Sequence, residues 1–145
     1  MLKGIDALLG PDLLMILRAM GHGDEIAIVD ANYPADTDAT RLVRMDGHGA
    51  ARILAAVLSV MPLYDFAQSA FRPGIDGDPD HQKPIMAEFQ KIVTQYEPGV
   101  TLAPLMGEDF YARVKSAYAV VASGERALYG NIVLRKGVIR LETVQ

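Results

Sequence analysis

The chain has 145 residues, half of them apolar and 22% charged, with a net charge of −4. That composition belongs to a globular chain with a sizeable core, read as one domain over residues 1–145, and not to a disordered one. The acidic balance, with no cluster of Lys or Arg, argues against nucleic-acid binding, and the lack of cysteine excludes disulfides and thiolate metal sites.

Gly10, Pro11, Asp12 and Arg18 interrupt the apolar start, which is therefore no secretory signal. No run of ~18 apolar residues offers a membrane span. The expectation is a soluble, cytoplasmic protein. A first helix opens at Gly10-Pro11-Asp12, with Pro11 near N1 and Asp12 in the first turn, where the helix dipole favours negative charge. Its apolar positions Leu13, Leu14, Leu17 and Met20 recur at helical spacing, and Gly21 is expected to close it in the left-handed conformation. The run Ile26 to Val29 reads as a buried strand with Asp30 at its carboxyl end. A loop follows through Pro34 and the polar Asp36-Thr37-Asp38, then a short strand over Leu42–Met45.

Asp46 is expected to cap a helix from about Gly47 to Val60, rich in small apolar residues and so closely packed on most sides. Leu63 to Phe71 is ambiguous, with an edge strand the expectation, and Arg72 to Pro84 carries the turn signals of a surface loop. Ile85, Phe89, Ile92 and Tyr96 mark an amphipathic helix closed by Pro98-Gly99. A strand is expected over Thr101–Leu105, a helix over Asp109–Ala117, and buried strands over Ala119–Ala122 and Asn131–Leu134. Strands alternating with helices predict an α/β fold of three layers, α/β/α, around a mostly parallel, mixed sheet.

Two stretches carry chemistry. In Met20-Gly21-His22-Gly23-Asp24-Glu25 an imidazole stands between two glycines, which leave it uncrowded. Asp30 lies at a strand's carboxyl end, where open α/β sheets bind ligands. Each has a plainer alternative: His22 as a loop or capping residue, Asp30 as a turn former, Asn131 as a strand start, and Phe110 and Tyr111 as core or interface. Asp24 and Glu25 read as structural, Glu125-Arg126 as a local ion pair or subunit contact, and neither His48 nor His81 is given a catalytic role.

The segment from Met20 to Glu25, with Asp30 and Pro34 behind it, resembles the signature of the fucose mutarotase and ribose pyranase family (RbsD/FucU-like). Arg44-Met45-Asp46-Gly47, Phe110-Tyr111, Gly124 to Asn131 and Arg135-Lys136-Gly137-Val138 resemble its later motifs, in order and over nearly the whole chain. Gly23-Asp24-Glu25 and Asp30 to Pro34 lean towards the fucose branch. The resemblance implies a cofactor-free, metal-free isomerase that interconverts anomers or ring forms of a reducing monosaccharide. It further implies a homo-oligomeric ring, typically a decamer, with sites at subunit boundaries.

By the same resemblance the acid/base histidine falls on His22, the sugar-binding aspartate on Asp30, and sugar contacts on Tyr111, Tyr129, Gly130 and Asn131. Such residues suit the chemistry. Opening a hemiacetal needs a proton taken from the anomeric hydroxyl and one given to the ring oxygen, work for a group that titrates near neutrality. Asp30 can grip a sugar hydroxyl or orient the imidazole. Asn131 can donate and accept together, and Tyr33 and Tyr129 offer flat faces.

Departures concern the sugar. Where fucose-type relatives carry a basic residue three positions before the Phe-Tyr pair, this chain has Gly107. Asp65 stands one residue later than the acid some members use, and the 72–84 loop has no clear counterpart. Alternatives to an L-fucose mutarotase are a ribose pyranase-type enzyme, a non-catalytic sugar-binding or transport-accessory protein, and a metal-dependent hydrolase using His22, Asp24 and Asp30.

Overall fold

The structure, a computed structural model, describes residues 1–141. The apolar run after the histidine loop becomes strand β1 (Glu25–Val29), and its partners build the sheet outward from it. These are β2 (Leu42–Met45), β3 (Ala70–Pro73), β4 (Ala103–Leu105), β5 (Ala119–Ser123) and β6 (Ile132–Arg135), in the order β2-β5-β1-β6-β3-β4. β1 pairs parallel with β5, β5 with β2, and β3 with β4, whereas β6 runs antiparallel to both β1 and β3. Five strands thus point one way and β6 alone points back. Its reversal follows from its connection: the 124–131 segment contains no helix to carry a parallel crossover.

Side-chain alternation along the central strands separates two cores. Ile26, Ile28, Ala119, Val121, Ile132 and Leu134 face the larger one, packed under α1 (Pro11–Ala19), α3 (Ala50–Leu58) and α4 (Pro84–Tyr96). Ala27, Val29, Val120, Ala122 and Val133 face the smaller one, with Phe110 and Val114 of α5 (Glu108–Ser116) and Ala35 of α2 (Ala35–Asp38). The three-layer α/β/α architecture with a mixed, mostly parallel sheet is the one expected. Alanines 50 and 56 are fully buried, in line with the close packing of α3.

Five local expectations are corrected. Gly21 does not close α1: the chain leaves the helix extended at Met20 (φ −60°, ψ 135°), and the left-handed glycine of this loop is Gly23 (φ +89°). Asp46 does not cap α3. Residues 46–49 form a turn, Gly49 is the cap, and the Ala50 N–H is met at 3.3 Å by Glu125 Oε1 from across the molecule. The polar stretch after Pro34 forms a single helical turn, α2, instead of continuing as loop.

The ambiguous 63–71 stretch yields strand only from Ala70, and β3 is not an edge. That place is taken by β4, whose Pro104 sits in an outermost three-residue strand where a missing N–H is tolerated. Arg72, expected on a surface loop, is 3% exposed in β3. Its guanidinium donates to the carbonyls of Pro79 (2.6 Å), Pro73 (3.3 Å) and His81 (3.4 Å), so it ties the following loop down from beneath.

Candidate functional site

Because β1 to β5 are all parallel, their carboxyl ends share one edge of the sheet, and the start of β6 joins them there. Asp30, the first residue beyond β1, is 6% exposed. Its N–H donates to Asn131 Oδ1 at 2.7 Å, and its own Oδ1 accepts from the Asn32 N–H at 2.9 Å, an Asx turn that sends the chain outward. Asp30 Oδ2 has no protein hydrogen bond among the described residues. It is an ionisable oxygen held in place beside a cavity.

That cavity, about 250 Å³, is lined by Asp30, Asn32, Tyr33, Pro34, Tyr111, Leu128, Tyr129 and Asn131. It falls just below the ligand-pocket range of ~300–1,000 Å³. Tyr33 and Tyr111 of its lining stack on one another, ring centroids 5.6 Å apart and planes within 18°. The Tyr33 hydroxyl donates to Asp38 Oδ2 at 2.8 Å; burial first, and then that carboxylate, push the phenol far above its ordinary value, so it stays a protonated donor committed to Asp38. Tyr111 is 43% exposed, with one face of its ring against Tyr33.

Tyr129 holds a left-handed backbone (φ +62°), an uncommon conformation for a residue with a Cβ. Gly130 follows because a Cβ there would meet Glu125 Cγ at 2.9 Å and the Ala127 carbonyl at 3.0 Å. Glu125 is no partner of Arg126; its carboxylate accepts from the Ala50 and Ala127 N–H groups and fixes the loop that delivers Tyr129 to Asn131.

Five of the six expected site residues therefore cluster: Asp30, Tyr111, Tyr129 and Asn131 line the cavity, and Gly130 shapes its loop. Leu128, which is 63% exposed and completes the wall, lies within the 124–131 motif but is not among the expected site residues. No lysine or arginine lines this cavity. Gly107 explains part of that: its φ of +52° and ψ of −130° at the α5 N-cap suit glycine and would strain a basic residue. An adjoining cavity of about 300 Å³ behind Asp30 does include Arg44. Replacing Asn131 with alanine strips the buried Asp30 N–H of its acceptor and is expected to cost ~1–3 kcal/mol of stability, read as a lower urea midpoint at unchanged slope.

His22 is not in this cluster. It precedes β1 and Asp30 follows it, so the strand, about 16 Å long at ~3.3 Å per residue, separates them. Within one copy Asp30 cannot orient the imidazole, and His22, Asp24 and Asp30 cannot share one metal ion. His22 is exposed, in a turn whose Gly21 N–H donates to Asp24 Oδ2 at 2.8 Å. A cleft of about 880 Å³ opens beside it, lined in part by Gly23, Asp24, Glu25, Arg41, Arg113 and Arg135, but not by His22. In it Arg113 grips Glu25 bidentately (2.6 and 2.9 Å) and lies over the Phe71 ring.

The model of the RbsD / FucU transport protein family matches residues 3–139. The chain belongs to this family. The fucose mutarotase of Homo sapiens is 42% identical over 147 residues, covering 97% of this chain and 96% of that protein. The fucose mutarotase of Streptococcus pneumoniae, solved in complex with L-fucose, superposes with a TM-score of 0.87 at 40% identity, over 96% of this chain and all of that one. Bacillus subtilis RbsD, solved with D-ribose, shares the fold at a TM-score of 0.71 and 22% identity, over 97% of this chain and all of RbsD. Among RbsD/FucU proteins the chain thus stands nearer in sequence to these fucose mutarotases than to that ribose-bound one. No helix among the described residues is long and apolar enough to cross a membrane.

Proposed function

We propose that this chain is an L-fucose mutarotase, a cofactor-free cytoplasmic isomerase that opens and recloses the pyranose ring of free L-fucose. The observation that carries the assignment is the Asp30–Asn131 corner. A buried carboxylate with one uncommitted oxygen stands in a small cavity walled by tyrosines, in a chain about 40% identical over its length to fucose mutarotases. Asp30 Oδ2 and Asn131 bind vicinal hydroxyls, and the flat faces of Tyr111 and Tyr129 take the C–H side of the ring. The apolar edge formed by Pro34 and Leu128 suits the methyl group of a 6-deoxy sugar.

The imidazole comes from a second copy. His22 and the Asp30 corner lie at opposite ends of one strand, so a head-to-tail contact sets the histidine end of one copy against the aspartate corner of the next. Contacts of that kind close into rings when the rotation allows, and we assign this chain to such a ring, of decameric size. At the boundary the His22 imidazole takes the proton of the anomeric hydroxyl and delivers it to the ring oxygen as the C1–O5 bond breaks. The open aldehyde turns about C1–C2, and reclosure on its other face reverses the transfers. Positioned acid/base catalysis of this type gives ~10²–10⁴-fold.

Saturation-transfer NMR between anomer signals, run on L-fucose, galactose, ribose and rhamnose, tests the proposal. Faster exchange is expected for L-fucose above the others. Exchange accelerated only for ribose would favour the pyranase-type enzyme, and tight L-fucose binding without acceleration a binding protein.

A further inference from the structure

We infer that Lys136 is a positioning residue for His22: its ammonium, seated on the open end of α1, holds the turn that presents the imidazole. The inference rests on the role proposed for His22. That side chain makes no hydrogen bond or ion pair among the described residues, so within one copy the backbone of residues 20–24 decides where the imidazole starts. This backbone has no left-handed glycine closure at the end of α1, and the carbonyls exposed there need another donor.

Lys136 supplies it. Its Nζ donates to the Leu17 carbonyl at 2.6 Å and the Met20 carbonyl at 2.5 Å, the second belonging to the residue that begins the turn. Its main chain holds the other end, accepting from the Gly23 N–H and donating to the Asp24 carbonyl, each at 2.8 Å. Arg135 adds a bond from Nε to the Gly23 carbonyl at 3.3 Å. One residue thus clamps both sides of His22. A cation at a helix C-terminus also complements the helix dipole.

Lys136→Met keeps the aliphatic stem and the main-chain bonds and removes only the ammonium. Its expected effect on L-fucose anomer exchange is a kcat lower by ~10–100-fold, since a misplacement of ~1 Å can cost ~10²-fold. KM is expected to stay within about twofold, because the sugar is held at the Asp30 corner. Amide hydrogen exchange of residues 21–24 should quicken while that of β1 and β6 does not, and Lys136→Arg should restore much of kcat. An unchanged kcat per folded molecule would overturn the inference, as would a parallel change in kcat, KM and global exchange.

Should Lys136→Met fail to fold, the wild-type protein decides. Its Lys136 ammonium protons, bonded to the Leu17 and Met20 carbonyls, are expected to exchange with water slowly enough to give an NMR signal, and an ammonium as mobile as that of an exposed lysine overturns the clamp. His22→Ala measured in parallel separates the two claims. Retained exchange there refutes the proposed chemistry, whereas loss there with wild-type kcat in Lys136→Met refutes only the clamp.

Discussion

His22→Ala is expected to slow L-fucose anomer exchange by ~10²–10⁴-fold, the whole contribution of positioned acid/base catalysis. The variant should unfold at the wild-type temperature. The side chain is exposed, packs in neither core and makes no hydrogen bond or ion pair among the described residues. The turn around it is built by Gly21, Gly23, Asp24 and Lys136, none of which the substitution touches. L-fucose should still bind, because the Asp30 corner is intact. Saturation-transfer NMR paired with thermal unfolding reads both halves. A variant that exchanges anomers at the wild-type rate would remove His22 from the chemistry.

Asp30→Ala is expected to show the opposite signature, a KM for L-fucose raised about tenfold to a hundredfold. A hydrogen bond to an ionised group is worth ~1.5–3 kcal/mol, and the substitution deletes the one charged wall of the cavity. It also removes the acceptor for the Asn32 N–H, so a modest loss of stability should accompany the loss of affinity. Titration of the exchange rate with L-fucose separates the two variants: His22→Ala loses kcat and Asp30→Ala loses binding. Equal loss of both parameters in both variants would mean that neither role is assigned correctly.

Much of the fold was legible because its central strands are short apolar runs between turn signals: Ile26–Val29, Ala119–Ala122 and Ile132–Leu134 all became strands. Partner choice was not legible. That β5 and β6 flank β1 on opposite sides depends on contacts a hundred residues apart, which no local pattern encodes. The corrected details share that cause. A distant lysine replaced the helix closure expected at Gly21, Glu125 replaced the cap expected at Asp46, and Arg72 looked like loop because its carbonyl partners lie further along the chain.

For the site, the residue types stood out, while their arrangement in one copy did not follow from proximity in sequence. The strand Ile26–Val29 is expected between His22 and Asp30, and once extended it sends them to opposite edges of the sheet, which rules out the pairing of Asp30 with the imidazole within one copy. Leu128 sits inside the 124–131 motif, but an exposed leucine in a loop does not by its type point to a sugar.

The claim that one site is divided between two copies can be measured by complementation. Equal amounts of His22→Ala and Asp30→Ala chains, unfolded together and reassembled, give boundaries of which about one quarter join an intact histidine to an intact aspartate corner. Mixed assemblies are expected to recover L-fucose anomer exchange at about a quarter of the wild-type rate, far above either variant alone. Mixed assemblies as inactive as their two parents would contradict it.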